Sequence, residues 1–391
     1  MSSPVPARYK PLVYEIVSGV VRWRLYLDWV LSHFVKETMK RDVRHLLWMG
    51  LYQVCFMKKA TYHVVNETVG YAKRERGQRV ANFVNAVLRR AIRDKENLPL
   101  PPDPVSRLSV EHSFPLWLVK RWHARFGPEG TKQLLTALNR SPEFVVRVAG
   151  GKTETKEAAL RLQEAGVRIR NSRFLDSALY VDKVGPVLDT DLFKKGLIRI
   201  QDETSQMAAI ALAPSSGDLV LDACAGLGTK TEQIKQTFPG ARIAAMDRDG
   251  KKLRSIRSTD CVVQADAMKT PFKRNRFDSI LLDAPCSSLG IIRKHPEIKW
   301  RRSEKDVKEF GAQQLKMARA LSENLKVGGH LVYSVCSFEP EETTEVIGQL
   351  KKECGFAAEK PLPALFDDEE FLSVPHVSGM DGFFIARLKK L

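Results

Sequence analysis

Asp222-Ala-Cys-Ala-Gly-Leu-Gly-Thr-Lys-Thr231 closes the apolar run Leu219 to Asp222 and opens onto a stretch with helical character. A strand that enters a glycine-bearing turn and continues into a helix is the repeating unit of a parallel sheet wound with helices on both faces. Gly226 and Gly228 let the backbone come close to a ligand before the helix begins. The turn is not G-x-G-x-x-G, which disfavours a dinucleotide, and Asp247, further along the chain, suits the two hydroxyls of a ribose. A ligand with a ribose and no phosphates meets both conditions, and S-adenosyl-L-methionine is such a ligand.

Working outward, four more apolar runs end in a chemically loaded residue: Ile243 to Asp247, Val262 to Asp266, Ile280 to Asp283 and Leu331 to Cys336. In a doubly wound sheet, ligands lie at the carboxyl ends of the strands, so these residues are expected in one crevice. A single Asp at a strand end is commonly a helix N-cap and means little. Several of them together with a cysteine point to a site. Lys230 falls in the first turn of its helix, where the macrodipole disfavours a cation, so an anionic or thiol partner is implied; the bland alternative is a solvent-pointing lysine.

The six cysteines, Cys55, Cys224, Cys261, Cys286, Cys336 and Cys354, form no C-x-x-C pair, so neither a disulfide framework nor a metal site is indicated. Cys55, Cys261 and Cys354 read as small buried hydrophobes. Cys286, in Asp283-Ala-Pro-Cys-Ser-Ser-Leu-Gly290, and Cys336, in Tyr333-Ser-Val-Cys-Ser-Phe-Glu-Pro-Glu-Glu342, stand at strand ends facing the presumed cofactor. A thiol there has a clear use. Carbon 5 of cytosine is a poor nucleophile until a thiolate adds to carbon 6, and a carboxyl such as Asp283 can stabilise the charge at N3. Pro340 suits a first helical turn, which predicts a helix N-terminus just after Cys336 that would favour a thiolate, against the opposing charges of Glu339, Glu341 and Glu342.

The 391 residues are 43% hydrophobic and 28% charged, which fits a folded chain of two or three domains. Residues 1 to 200 carry 35 Lys and Arg against 19 Asp and Glu, whereas residues 201 to 391 carry 28 against 27. The basic half is expected to meet a polyanion, with nucleic acid favoured over an acidic membrane surface. No run is long enough for a signal peptide or a membrane span, so the protein is expected in the cytoplasm. From Tyr14 to Arg93 the apolar spacing is helical, and Pro99, Pro101, Pro102 and Pro104 then read as a linker. Residues 106 to 140 read as helical, and short strands at Phe144 to Val148, Val167 to Arg170 and Leu197 to Ile200, with a helix near Lys156 to Ala165, make a small α+β module.

These motifs resemble the Sun/Nop family of RNA 5-cytosine methyltransferases, and within it the bacterial small-subunit ribosomal RNA branch. The resemblance rests on Asp283 to Ser287 with Arg293-Lys-His-Pro-Glu-Ile-Lys-Trp300, on Tyr333 to Glu342, on Gln201-Asp-Glu-Thr-Ser-Gln206 and on Asp381-Gly-Phe-Phe-Ile-Ala-Arg387. Asn66-Glu-Thr-Val, Tyr71-Ala-Lys-Arg and Asn82-Phe-Val-Asn-Ala-Val-Leu-Arg-Arg90 resemble an all-helical NusB-like RNA-binding domain. The resemblance implies a multidomain protein. A NusB-like domain over 1–98 and a linker over 99–105 precede an RNA-recognition-like extension over 106–200 and an α/β Rossmann-like class I methyltransferase domain over 201–391.

It further implies Cys336 as nucleophile, Cys286 as the residue that helps release product, and Asp283 and Lys230 beside them. The cofactor would be held by Cys224, Ala225, Gly226, Leu227, Gly228, Thr229 and Lys230 around its methionine part, by Asp247 at the ribose and by Asp266 near the adenine, with Lys252 and Asp283 completing the set. Without the resemblance, either cysteine could be the nucleophile, since DNA 5-cytosine methyltransferases use the Pro-Cys position. The implied partner is small-subunit (16S) ribosomal RNA before full assembly, and the implied state is a monomer. The chain departs from the family at Ala225-Gly-Leu-Gly-Thr-Lys230, where the family reads Ala-Ala-Pro-Gly-Gly-Lys, and at Ser288-Leu289, where it reads Gly-Thr. Two other readings stand beside this one: the same chemistry on transfer RNA or large-subunit RNA, and a non-catalytic RNA-binding assembly or antitermination factor.

Overall fold

The computed structural model describes residues 5–36, 38–257 and 259–391, so Met1 to Pro4 of the expected first domain lie outside the described residues. The chain divides into two compact units, one of residues 1–140 with 292–301, the other of residues 141–291 with 302–391.

The first unit is all helical. The run expected from Tyr14 to Arg93 resolves into helices Lys10–Arg22, Arg24–Ser32, Arg41–Cys55, Thr61–Arg76 and Gln78–Asp94. Their apolar stripes meet in a core around Leu27, Leu31, Leu47, Leu51, Val84 and Leu88, each contributing about 2 kcal/mol by leaving water. Pro104, read as part of a linker, instead starts the helix Pro104–His112, because proline suits a first turn and the Asp103 carboxylate accepts the Ser106 N–H at 2.8 Å. Helix Leu116–Asn139 comes next, kinked at Gly127 and Pro128.

The segment Ile292–Arg301, just after the Pro-Cys motif in sequence, belongs to this unit. Lys299 is fully buried there, its Nζ donating to Arg22 O and Ser113 O at 2.9 Å and to Asn139 Oδ1 at 3.1 Å, 3.7 Å from the centre of the Phe114 ring. Trp300 Nε1 donates to Val21 O at 2.7 Å, and Arg22 Nη2 donates to Arg293 O at 2.8 Å. The basic motif is therefore a structural insert of the helical unit. Sequence pattern could not show this, because the partners are 160 to 279 residues away.

The second unit starts with strands β1 (Phe144–Val148), β2 (Ile169–Asn171), β3 (Ala178–Val181) and β4 (Ile198–Ile200) in the order β2-β3-β1-β4, with helix Lys152–Glu164 packed on them. Sequence pattern predicts only three strands here and does not include β3. The Gln201 to Gln206 motif ties this small sheet to the helices beside the larger one: Arg147 Nε donates to Gln201 Oε1 at 2.7 Å, Gln201 Nε2 to Gln233 Oε1 at 2.6 Å, and Tyr180 Oη to Glu203 Oε2 at 2.6 Å.

The large sheet contains β5 (Leu219–Asp222), β6 (Arg242–Asp247), β7 (Cys261–Gln264), β8 (Phe277–Asp283), β9 (Leu325–Val335), β10 (Phe356–Glu359), β11 (Glu370–Ser373) and β12 (Phe383–Lys390). Its order is β10-β12-β9-β8-β5-β6-β7, with β11 also on β12. The strands from β5 to β9 pair parallel, as the sequence pattern predicts, and β12 adds antiparallel pairing with β9, β10 and β11, which makes the sheet mixed. Cys261, expected to be buried, is exposed because β7 is the edge strand. β7 ends at Gln264, so Asp266 lies beyond the strand end. The chain leaves β5 toward β6 and β7, then returns to β8 on the other side of β5. That reversal opens a crevice at the ends carrying Asp222 and Asp283.

Candidate active site at the strand ends

β5 delivers Asp222 into the interior, where its Oδ2 accepts the Thr231 hydroxyl at 2.6 Å while its buried Oδ1 has no hydrogen-bond partner. Burial pushes its carboxyl up to about 6. The turn after it takes positive φ at Gly226 (56°) and Gly228 (85°), a conformation that side chains resist. That shape aims the Gly226 N–H at Asp247 Oδ2, 2.8 Å away, while Oδ1 accepts the Asp249 N–H.

Helix Thr229–Thr237 then presents Lys230, whose Nζ donates to Asp283 Oδ2 at 2.6 Å. This is the anionic partner the position requires. Burial pulls the Lys230 ammonium down, but the Asp283 and Asp222 carboxylates outweigh it and hold it above the ordinary lysine range. Asp283 also accepts the Ser334 hydroxyl at 2.8 Å on Oδ1, so its carboxylate is fixed from both sides. Asp222, Cys224, Leu227, Lys230, Lys252 and Asp283 line a cavity of about 360 Å³, with Ala225, Gly226 and Thr229 completing its wall. Burial and the surrounding carboxylates push the Cys224 thiol up, so it stays neutral. Asp266, which accepts the Met268 N–H at 2.9 Å, is not among the lining residues.

β8 and β9 are parallel neighbours with Asp283 opposite Ser334, so the turns leaving them run side by side. Cys286 and Cys336 thereby meet, with their Sγ atoms 3.1 Å apart. The shared hydrogen bond with Cys336 and then burial push the Cys286 thiol well above its usual range. Gly290 donates its N–H to Cys336 O at 3.1 Å, and a Cβ at Gly290 would stand 1.9 Å from Gly382 O, so only glycine allows this approach. The helix N-terminus expected just after Cys336 is not there. β9 ends at Val335, a three-residue 3-10 turn spans Pro340–Glu342, and the next helix starts at Thr344, too far on to stabilise a thiolate.

Sequence reasoning missed Glu342, which it counted only as an opposing charge. Glu342 is fully buried between the two cysteine turns. Burial pushes its carboxyl above the ordinary range, an effect that donors from Ser287, Ser337 and Gln314 only partly offset.

Residues 209–389 match the family model described as 16S rRNA methyltransferase RsmB/F, residues 2–93 match the NusB family, and residues 114–188 match the RsmF/B-like ferredoxin-like domain. The probable ribosomal RNA small subunit methyltransferase B of Bacillus subtilis is 31% identical over 100% of this chain and 92% of its own length. The chain belongs to the ribosomal RNA small subunit methyltransferase B family. The family's enzyme from Vibrio cholerae is 32% identical over 97% of this chain and 89% of its own length. Among solved structures, PH0851 superposes with a TM-score of 0.83 over 99% of this chain and 92% of that one, at 24% identity. NSun6 from Pyrococcus horikoshii, solved with SFG, gives 0.63 over 71% of this chain and 99% of that one, at 21% identity. These two likenesses concern the fold.

The departures from the family sequence can be placed. Leu227 is exposed at 66%, so replacing proline there disturbs no packing. Thr229 is the first residue of its helix and needs no glycine. Ser288 is different. It keeps a positive φ of 63°, natural to glycine, and its hydroxyl stands 3.5 Å from Cys336 Sγ and 3.8 Å from Cys286 Sγ.

Proposed function

We propose that this protein methylates carbon 5 of a cytosine in small-subunit (16S) ribosomal RNA through a covalent bond between Cys336 and carbon 6, with S-adenosyl-L-methionine as methyl donor. The observation that carries the reading is the pair of thiols 3.1 Å apart on the turns after β8 and β9, with Asp283 of the Lys230–Asp283 ion pair at the end of the same β8.

The residues around the cavity fit the cofactor. Asp222 has a buried oxygen without a partner, the Gly226 turn leaves open space where a Cβ would point, and Asp247 stands beside it for the ribose hydroxyls. The loop from Cys224 to Lys230 would hold the methionine part, with Lys252 also in the cavity wall, and Asp266, outside that wall, would lie by the adenine. When bound, the cofactor supplies an electrophilic methyl on a sulfonium.

The chain's own groups do the rest. Cys336 adds as thiolate to carbon 6, which places electron density on carbon 5. Asp283, held by Lys230 and Ser334, takes the proton that the Cys336 thiol gives up and passes it to N3 as negative charge develops there. After methyl transfer, water takes the carbon 5 proton, the freed electron pair forms the carbon 5–carbon 6 double bond, and the Cys336 sulfur leaves as thiolate, with the neutral Cys286 thiol within hydrogen-bond reach to donate to it. The basic residues 1–200 supply phosphate contacts, which give affinity that falls with salt.

The test uses small-subunit ribosomal RNA carrying tritium at carbon 5 of cytosine. One tritium should be released for each methyl incorporated. Methyl incorporation without release would place the methyl elsewhere on the RNA.

A further inference from the structure

Thiol chemistry at the two cysteines requires that something keep them together. Cys286 and Cys336 lie on separate turns, 50 residues apart in sequence, and neither turn is part of a strand or a long helix. Between them sits the Glu342 carboxylate. Its Oε1 accepts the Ser287 N–H at 2.7 Å and the Gln314 amide at 3.1 Å, and its Oε2 accepts the Ser287 hydroxyl at 2.5 Å and the Ser337 hydroxyl at 2.6 Å. Ser287 is the residue after Cys286, and Ser337 is the residue after Cys336. One carboxylate therefore grips both turns at the position next to each thiol.

The grip is itself held. Tyr333 Oη lies 2.6 Å from Glu342 O and 2.9 Å from Gln314 Oε1, and Gln314 Nε2 donates to Pro285 O at 2.9 Å. Four donors converge on the carboxyl group, so both of its buried oxygens are satisfied by the two turns and Gln314. Loss of the side chain would leave two buried hydroxyls, an N–H and an amide to find other partners, and the turns would no longer be tied to one point.

We infer that Glu342 is a positioning residue that sets the distance between Cys286 and Cys336 by clamping Ser287 and Ser337. The inference deepens the proposed chemistry and rests on it for its kinetic consequence, but the clamp has a readout of its own. Diamide joins two thiols that lie close together: each loses its proton and one electron, the sulfur–sulfur bond forms, and the diamide is reduced to its hydrazine. The rate at which the Cys286–Cys336 disulfide appears, followed by peptide mass mapping, measures how well the turns are held without any methyl transfer.

The experiment compares full-length parent, Glu342→Ala, Glu342→Gln and Ser337→Ala. Glutamine keeps the shape and can still accept the Ser287 N–H, so it should close the disulfide at close to the parental rate. Alanine should slow closure about tenfold or more, and Ser337→Ala should slow it several-fold, because an error of about an ångström in placing a reacting group has effects of this size or greater. Adenosylmethionine affinity should stay near parental in all three, since Glu342 does not line the cofactor cavity. With RNA containing 5-fluorocytosine, which blocks the final elimination, covalent adduct formation should fall in the same order, with glutamine rescuing it. Disulfide closure at parental rates in Glu342→Ala would overturn the clamp. If Glu342→Ala fails to bind adenosylmethionine because it does not fold, unchanged closure in Ser337→Ala overturns it instead. A parent that closes the disulfide but forms no adduct would refute the proposed chemistry and leave the clamp to be judged on closure alone.

Discussion

Lys230 Nζ donates to Asp283 Oδ2 at 2.6 Å, and through this bond the turn after β5 is tied to the turn after β8, across the point where the order of strands reverses. The same ammonium is what Asp222 and Asp283 share in an otherwise acidic pocket. Replacing it by methionine should leave the buried Asp222 and the half-buried Asp283 without their cation, and methyl transfer should drop about a hundredfold or more when measured in single turnover, since removing one electrostatic contact of this kind costs that much.

The two thiols should separate by phenotype. Cys336→Ala should bind cofactor and RNA but form no protein–RNA adduct. Cys286→Ala should add, methylate and then stall, leaving a species that survives denaturation in a gel. The trapped species appearing on loss of Cys336 instead would exchange the two roles.

Asp247→Ala removes the acceptor of the Gly226 N–H as well as the expected ribose contact. Adenosylmethionine binding by calorimetry should weaken about tenfold or more, the effect of losing one charge-assisted hydrogen bond. Unchanged affinity would remove Asp247 from the cofactor site.

Asp222 makes stability depend on pH in a stated direction. Its folded carboxyl is pushed up from 3.8 to about 6, so the folded state holds the proton more tightly than the unfolded state does. The side chain is neutral and harmless in acid, and its burial cost grows as pH rises through that window. Asp222→Asn lacks this cost. Its stability relative to the parent should therefore improve by about 1.5 kcal/mol between pH 5 and pH 8, read from urea midpoints at both.

Lys299→Met should destabilise the helical unit by about 2 kcal/mol, because the carbonyls of Arg22 and Ser113 and the amide oxygen of Asn139 lose a buried donor. Methionine keeps the volume, so a thermal shift of less than about 2 °C would mean that these oxygens find other donors.

Local units were legible in the sequence: the glycine turn after β5, the acidic strand ends, the apolar stripes of the first helices and the basic balance of the first 200 residues. Each is written in neighbouring positions, where backbone freedom, strand length and helical period act over a few residues. Contacts across long loops were settled by the folded chain alone. The antiparallel β12 in the sheet, the burial of Lys299 within the helical unit, the 3.1 Å approach of Cys286 to Cys336 and the closing of Ser287 and Ser337 on Glu342 all join distant parts of the chain. Such pairings depend on which strand lies beside which, and once β8 and β9 are neighbours the turns leaving them must share one space. Local pattern carries no record of that adjacency, so Glu342 reads in sequence as one more charge near a thiol, and only the meeting of the two turns gives its carboxylate a task.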